Sequence, residues 1–226
     1  MQQELRERVE TADRFGHVRY VAGADIAFDP ETDWAFAGVI VYRFPQLTEV
    51  ERRKARRKLR FPYVPGLLSF RECPILLAAF EQLQTQPDLI LVDGHGVAHP
   101  RRFGIACHLG ILLDCPTIGC AKSILVGEVG ELGVQAGSTS PLIDRCEEVG
   151  VALRTRPRVK PIYVTIGHRV FLSSAVGFVS KCSDGFRIPK PTREADHWVR
   201  ELRRAYQAGR KRVGVSESVA ADEANE

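Results

Sequence analysis

The short run "LILV" between Asp88 and Asp93 constrains the fold more than any other segment. A strand with no polar residue on either face must be covered on both sides, which is typical of the centre of a parallel sheet. A helical segment at 104–114, "GIACHLGILLD", follows it, and then another apolar run at 116–123, "PTIGCAKS". This alternation of strand, helix and strand predicts an α/β fold.

The rest of the chain extends this pattern. Two β-rich runs at 21–29 and 34–44 are separated by "PETD", which predicts a hairpin, and the basic window after them can form a third strand. Further elements are predicted as helices at 69–84, 170–182 and 192–206 and as strands at 148–156 and 160–167.

The length and composition predict one domain. With 226 residues and 44% hydrophobic content, the chain can bury one full core, which we place at 1–206. From 207 onward the apolar content collapses, so 207–226 is predicted to be a disordered tail. A monomer is the default expectation.

The chain carries no sign of a membrane partner. Its first ten residues contain no apolar region, and no window approaches the roughly 18 apolar residues of a membrane span. The six cysteines form no CxxC pair and lie mostly in apolar runs, as expected for reduced core residues. These features predict a cytoplasmic protein without disulfides or a zinc site.

Positive charge is concentrated in one window. The net charge is +4, yet "ERRKARRKLR" at 51–60 holds seven basic residues and one acidic residue, so the remainder of the chain sums to 4 − 6 = −2. A block of this kind is either a solvated strand or loop, or a stripe that contacts the phosphates of a nucleic acid.

Three carboxylates stand in positions that suit chemistry. Asp25 interrupts an apolar strand, where an ionised group needs a partner. Asp93 ends the central strand, and the carboxyl ends of such strands are the usual ligand sites of open α/β sheets. Each also has a purely structural interpretation: Asp25 can pair with a basic residue, and Asp93 can cap the turn after it.

Glu72 is the third carboxylate, close to the start of a predicted helix. Ser69 and Glu72 fit a capping box, in which the glutamate bonds the backbone amide of the serine. Pro74 argues against that box, because a helix begun at Ser69 would place the proline where an amide hydrogen is needed. A later start of the helix would free Glu72.

Together the three carboxylates predict an all-oxygen metal site. Carboxylates without a Cys or His pair suit Mg²⁺ or Mn²⁺ rather than zinc. Such an ion activates a nucleophile and stabilises charge on a phosphoryl group. Lys122, at the end of an apolar run, is placed to add positive charge, although a surface lysine at a strand end would look the same in the sequence.

A stiff turn precedes Glu72. Pro62 and Pro65 bracket Tyr63 and Val64, and the prolines restrict both themselves and the residues before them. A preordered aromatic side chain can fill the gap that a base leaves when it is extruded from a duplex. Alternatively, Tyr63 packs beneath the turn.

Four segments of the sequence resemble the endonuclease V family, in the order and spacing of that family. They are "FPYVPGLLSFRE", "LVDGHGVAHPRRFGIACHLG", "PTIGCAKS" and "RIPKPTREAD", within a match from about 15 to about 205. The resemblance implies a ribonuclease-H-like fold, a mixed central β-sheet flanked by helices. It further implies a Mg²⁺-dependent enzyme, with Mn²⁺ as a substitute, that nicks DNA at the second phosphodiester bond 3′ to deoxyinosine. The resulting ends are 3′-hydroxyl and 5′-phosphate; relatives in animals prefer inosine in RNA.

The resemblance also implies roles for single residues. Asp25, Glu72 and Asp93 match the metal-binding carboxylates, and Lys122 matches the catalytic lysine. Asp196 takes the position of an assisting His or Asp, with His197 beside it. Pro62, Tyr63, Val64 and Pro65 match the strand-separating wedge. His168 in "VTIGH" matches a family "SPGH" in which Thr165 and Ile166 replace Ser and Pro, so it is the weaker candidate.

A pocket for deaminated adenine needs a donor for its new oxygen and an acceptor for the hydrogen at N1. Backbone groups provide both where glycine lets the chain approach closely. Gly66, Gly94 and Gly96 are candidates for such walls, although turn geometry alone can also require these glycines. Leu68, His99 and Ile105 resemble further family pocket positions, and His99 can equally be a structural histidine.

Two other functions stay open from the residues alone. A ribonuclease of the same fold class that cuts RNA:DNA hybrids would share the carboxylates but would not need the stiff turn. A non-catalytic nucleic-acid-binding module would share the basic window, yet would gain nothing from three carboxylates that repel phosphate.

Overall fold

The apolar run 89–92 forms a buried central strand, as predicted. The computed structural model describes residues 2–59, 64 and 66–223, with side chains up to Arg210. In it, all residues of β4 (Leu89–Val92) are buried. It lies parallel to β1 (Tyr20–Phe28) on one side and to β5 (Thr117–Ala121) on the other. Its wholly apolar sequence follows from this position, because both of its faces are covered.

The remaining strands extend the sheet on both sides. On one side, β2 (Trp34–Arg43) and β3 (Thr48–Lys58) continue antiparallel from β1. On the other, β9 (Ile162–His168) pairs antiparallel with β5. The strands β8 (Glu147–Leu153), β7 (Thr139–Asp144) and β6 (Glu128–Val129) complete the order β3-β2-β1-β4-β5-β9-β8-β7-β6. The sheet is therefore mixed, with β3 at one edge.

Helices cover both faces of the sheet. On one face α2 (Leu68–Phe80) and α3 (Ile105–Leu113) pack on the alanine-rich side of β1 and β2. On the other face lie α4 (Leu172–Cys182) and α5 (Lys190–Glu223). A short helix, α1 (Gln2–Glu7), packs against α3. The predicted single α/β domain with a mixed sheet flanked by helices is confirmed.

Two local features differ from the sequence-based expectations. The helix α2 begins at Leu68 and contains Pro74, so the later start inferred from the proline is wrong. The strands β6 and β7 were not predicted, because β6 has two residues and β7, "TSPLID", contains a proline and only two apolar residues, which are adjacent. The register of β7 also shifts between Leu142 and Ile143, which blurs an alternating pattern.

The C-terminal helix continues beyond the predicted domain boundary at 206. Gln207 Nε2 donates a hydrogen bond of 2.7 Å to Asp29, and Arg210 Nη1 lies 3.5 Å from Glu31. Packing contacts therefore reach at least Arg210, and the helical backbone reaches Glu223. The division of the chain at 206 and a disordered tail at 207–226 stay predictions.

The cysteines and the helices agree with the composition. All six cysteines are free, and four of them are buried: Cys73, Cys107, Cys120 and Cys182. Within the described part of the chain, no helix is both long and apolar enough to cross a membrane. The cytoplasmic location and the monomeric state stay predictions.

Candidate active site

Three carboxylates meet where β1, β4 and α5 come together. Ala24 of β1 pairs with Val92 of β4 in parallel register, so the residues that follow them, Asp25 and Asp93, lie side by side. Asp196 comes from α5, which can approach β1 closely because Gly23 has no side chain; a Cβ there would lie 2.1 Å from the backbone of Pro191. One oxygen from each carboxylate lies within 4.8 Å of the others.

The carboxylate cluster concentrates negative charge in a partly buried place. Burial raises the pKa of Asp25 to about 8, with the negative charges of Asp93 and Asp196 adding to the effect. The amide of Ile26, which donates a hydrogen bond of 2.8 Å to Asp25 Oδ1, only partly offsets it. A hard divalent cation fits this donor set, because its positive charge would offset the negative charge of the three carboxylates.

Lys122 supplies positive charge beside the cluster. It follows the last residue of β5, and its ammonium forms an ion pair with Asp93 and lies 3.8 Å from Asp196. Desolvation lowers the pKa of Lys122, but the hydrogen bond and charge of Asp93 outweigh it, so the pKa is raised overall. Arg187 Nη2 donates a 2.7 Å hydrogen bond to the Lys122 carbonyl and holds the backbone there. Lys122 therefore stays protonated at neutral pH.

Glu72 faces the same site from α2. The helix is capped at Leu67 without a side-chain bond, and Ser69 Oγ instead lies 3.1 Å from His108 Nδ1. The alternative of a capping box is therefore wrong, and the Glu72 carboxylate is not held at the start of the helix. Burial raises its pKa to about 7; Arg71 acts against this shift and Asp93 reinforces it.

A cavity of about 240 Å³ adjoins the carboxylates. Asp25, Glu72 and Asp93 form part of its wall. Of the predicted base-pocket residues, the structure brings five to this wall: Gly66, Leu68, Gly94, His99 and Ile105. Two of the three clustered carboxylates, Asp25 and Asp93, and five predicted base-pocket residues thus border the same cavity.

Gly66 is held in a conformation that needs glycine. Its φ is 79°, and a Cβ would lie 2.7 Å from Arg101 Nη1. Its carbonyl accepts hydrogen bonds from Arg101 Nη1 at 3.0 Å and from Gln2 Nε2 at 3.3 Å. The turn before α2 is therefore fixed from outside the cavity, just after the predicted wedge.

His99 is buried in the wall and neutral. Desolvation lowers its pKa to about 4, with further contributions from Arg101 and His95. Its Nδ1 accepts the amide hydrogen of Arg101 at 3.2 Å. A neutral imidazole that accepts at Nδ1 carries its hydrogen on Nε2, so His99 is a hydrogen-bond donor.

Three predicted residues lie away from this space. Gly96 packs against β9, where a Cβ would meet the carbonyl oxygen of Ile166 at 1.8 Å, so close packing by itself requires glycine at this position. His168 pairs with Thr117 at the start of β5, the opposite end of that strand from Lys122, and accepts the amide of Glu10. His197 is exposed and lies 3.1 Å from Glu201, whereas its neighbour Asp196 joins the carboxylates.

Sequence reasoning missed several residues of the wall. His95 contacts the carbonyl of Ser123 at 3.0 Å, and burial lowers its pKa. Phe103 and Leu125 also form part of the cavity wall. His95 could have been found from its place in "DGHG", but Leu125 follows the lysine segment without a distinguishing pattern.

The predicted wedge lies mostly outside the described residues. Pro62, Tyr63 and Pro65 are not among the described residues. Val64 is described; its side chain is exposed, and its carbonyl accepts the amide of Leu67 at 2.9 Å in the turn that leads to α2. The role of these residues stays a prediction.

The fold and the site together define a metal-dependent nuclease. Clustered carboxylates at the ends of parallel strands can hold a divalent cation, and the protonated lysine beside them can stabilise phosphate charge.

Comparison with known proteins identifies the family. The family model for endonuclease V matches residues 3–197. Endonuclease V of Roseiflexus castenholzii is 51% identical over 196 residues, which are 87% of this chain and 87% of that protein. The crystal structure of endonuclease V from Streptomyces avermitilis is 43% identical, with 91% of each chain covered and a TM-score of 0.87. This chain belongs to the endonuclease V family, which confirms the resemblance.

One structural relative is bound to nucleic acid. The crystal structure of Ciona intestinalis endonuclease V is a complex with a 24mer DNA containing an inosine followed by a ribo-adenosine. It is 31% identical to this chain, covers 91% of it and 95% of its own chain, and has a TM-score of 0.81.

Proposed function

We propose that this protein is a Mg²⁺-dependent endonuclease that recognises deaminated adenine in DNA during repair. It hydrolyses the second phosphodiester bond 3′ to deoxyinosine and leaves 3′-hydroxyl and 5′-phosphate ends. The observation that carries the proposal is the continuity of the site: Asp93 belongs to the carboxylate cluster, and Gly94, the next residue, forms part of the cavity wall.

Asp25, Asp93 and Asp196 would hold the cation, with Glu72 facing the same space. All are oxygen donors, which favours Mg²⁺ and allows Mn²⁺. When bound, such an ion stabilises charge on the phosphoryl group and activates water. The raised pKa of Asp25 means that this carboxylate must release a proton before it acts as a ligand.

Lys122 acts as a fixed positive charge rather than as a base. Its raised pKa keeps the proton on Nζ at neutral pH. The ion pair with Asp93 aims the ammonium at the space beside the carboxylates. A scissile phosphate in that space would receive a charge-assisted hydrogen bond, which grows in strength as negative charge develops in the transition state.

The cavity wall carries a hydrogen-bond donor for the oxygen of hypoxanthine. Relative to adenine, hypoxanthine presents an oxygen acceptor and a hydrogen at N1. His99 offers the Nε2 hydrogen as a donor, and the backbone at Gly94 leaves room for the base, because a Cβ there would lie 2.7 Å from Ile105 of the same wall. Leu68 and Ile105 form part of the same wall and provide apolar surface for the faces of the base.

Inosine in RNA is the second candidate substrate. The Ciona intestinalis complex contains an inosine followed by a ribo-adenosine. A ribonucleotide on the 3′ side of the lesion therefore suits at least one family member, and this chain shares its fold at 31% identity.

A strand-cleavage assay tests the proposal. Matched oligonucleotides should carry one deoxyinosine in DNA, the same lesion followed by one ribonucleotide, or one inosine in RNA, each with an adenine control. We expect Mg²⁺-dependent nicking of the deoxyinosine DNA at the second phosphodiester bond and none of the adenine control. Cleavage of the RNA alone would favour the second candidate, and equal cleavage of adenine controls would contradict deaminated-base recognition.

A further inference from the structure

The edge strand β3 divides into a neutral half and a cationic half. In the first half, Arg52 is paired with Glu49, and Arg53 lies 2.8 Å from Glu51. In the second half, 54–58, the sequence is "KARRK", with four cations and no acidic residue. Lys54, Arg57 and Lys58 form no ion pair with any described residue, so this half carries unbalanced positive charge.

Arg56 is the one cation of this half that has an aromatic partner among the described residues. Its Cζ lies 4.7 Å from the centre of the Trp34 ring and 5.4 Å from that of Tyr206. These rings tie β3 to β2 and α5. Arg56 therefore serves packing, while its three basic neighbours are available to a partner.

The sheet register places the cationic half beside the candidate active site. Asp25 pairs with Gly38 of β2, and Gly38 pairs with Lys54 of β3. Two strand spacings separate the backbones of Asp25 and Lys54, about 10 Å. From Lys54 the strand runs on past the level of Asp25, whereas its neutral half lies at the other end of the sheet.

A groove adjoins the C-terminal end of the cationic half, at 56–58. Its volume is about 580 Å³, and its wall includes Arg57, Lys58, Arg71 and Trp34. The Nε of Arg71 is buried and has no hydrogen-bond partner among the described residues. The described wall holds several cations and no acidic residue, so the groove carries positive charge that an anionic ligand would balance.

We propose that the cationic half of β3 contacts the phosphate backbone of the substrate next to the extruded base. The proposal rests on the proposed function and extends the contact surface beyond the cavity. The segment 54–58 is about 14 Å long, and over that distance one strand of duplex DNA presents about four phosphates. Its contacts are independent of base identity, so they hold the duplex while the cavity selects the lesion.

Protection of the sheet edge is the competing role for the charges. Lysine and arginine on an edge strand prevent other strands from pairing with it. Charged residues along the whole strand would serve that role, whether or not they form ion pairs. The observed charges are unpaired only at the end that lies near the carboxylates, which favours the phosphate contact.

The test is the salt dependence of DNA binding. A triple variant, Lys54→Gln, Arg57→Gln and Lys58→Gln, is compared with wild type by fluorescence anisotropy in EDTA at 50 to about 300 mM KCl. The control triple variant, Arg8→Gln, Arg19→Gln and Arg43→Gln, loses the same charge from exposed residues at the opposite end of the sheet. Each protein is titrated with one duplex, with and without deoxyinosine.

We expect the β3 variant to lower the magnitude of the slope of log K against log salt by about 2 to 3. Its affinity for both duplexes should fall roughly tenfold at 100 mM KCl, with the ratio between them unchanged. The control should keep the wild-type slope. The charge-preserving variant Lys54→Arg, Arg57→Lys and Lys58→Arg should also keep it, which separates charge loss from misfolding.

Two results would overturn the inference: an unchanged slope in the β3 variant, or an equal change in the control variant. Nicking of deoxyinosine DNA by wild type is scored separately. If wild type nicks this DNA but the β3 variant keeps the wild-type slope, only this inference fails. If the β3 variant changes the slope but wild type does not nick, the phosphate contact is supported and the proposed function fails.

Discussion

Replacing Asp25 by asparagine should stabilise the metal-free protein. Asp25 lies in a half-buried position between Asp93 and Asp196, and its pKa is raised to about 8 by burial and by these neighbours. Asparagine has nearly the same size and keeps an oxygen that can accept the amide hydrogen of Ile26. The substitution therefore removes the need to take up a proton on folding and changes little else.

The magnitude follows from the two pKa values. In the unfolded chain the Asp25 carboxyl loses its proton near pH 3.8, and in the folded protein near pH 8. Because the folded state binds the proton more tightly, the free energy of unfolding falls as the pH rises through this window. Each pH unit contributes about 1.4 kcal/mol. At pH 7, which is 7 − 3.8 pH units above the unfolded-state pKa, Asp25→Asn should therefore raise the free energy of unfolding by at most about 4 kcal/mol.

Chemical denaturation in EDTA at pH 4, 5, 6 and 7 measures this effect. The gain in the free energy of unfolding for Asp25→Asn should be small near pH 4 and should grow with pH. Asp184→Asn, at an exposed residue with positive φ that asparagine tolerates, is the matched control and should show no such trend. Mg²⁺ should raise the melting temperature of wild type more than that of Asp25→Asn. A gain that does not increase between pH 4 and 7 would refute the account of the cluster.

Three further experiments test the roles of single residues. Lys122→Met should slow single-turnover cleavage of deoxyinosine DNA about 100-fold or more, because the fixed positive charge beside the carboxylates is lost; an effect under twofold would argue against that role. Asp196→Asn should reduce cleavage roughly 10- to 100-fold, whereas His197→Ala, at an exposed position, should leave the rate unchanged; the reverse pattern would transfer the role to the histidine. Tyr63→Ala should weaken binding to deoxyinosine DNA by the equivalent of about 1 to 3 kcal/mol of stacking, and Tyr63→Phe should not; equal losses would implicate the hydroxyl group.

The sequence predicts the centre of the fold because its signals are local. An apolar run of four residues needs cover on both faces, and the helix and strand after it follow at short distances. The same reasoning locates Asp25 and Asp93, since a charged residue within or directly after an apolar strand is costly to bury unless a partner or a ligand satisfies it. Both residues are at the carboxylate cluster.

Residues brought together by tertiary packing could not be found from local patterns. Asp196 reaches Asp25 because α5 crosses β1 at Gly23, and only the family resemblance pointed to it. His168 lies in a family motif, yet β9 runs antiparallel to β5, so the C-terminal end of β9 lies away from Lys122. No spacing in the sequence distinguishes the two directions.

Pro74 is a case in which a valid local rule gave the wrong boundary. Proline within a helix removes a hydrogen bond, which argued for a start later than Ser69. In the structure α2 begins at Leu68 and includes Pro74, and its buried residues Cys73, Leu76 and Phe80 pack on the sheet. The packing of this face outweighs the lost bond. The conclusion that Glu72 is free of a capping box nevertheless holds.

Under the proposed function, the carboxylate cluster performs metal-dependent cleavage next to deaminated adenine. The most direct test of this claim compares wild type with Asp93→Ala on a duplex that carries one deoxyinosine, with binding measured in EDTA and nicking measured in Mg²⁺. We expect wild type to nick the lesion strand only with Mg²⁺, and Asp93→Ala to bind in EDTA but not to nick. Binding by wild type without nicking in either Mg²⁺ or Mn²⁺, or nicking by Asp93→Ala at the wild-type rate, would contradict the claim.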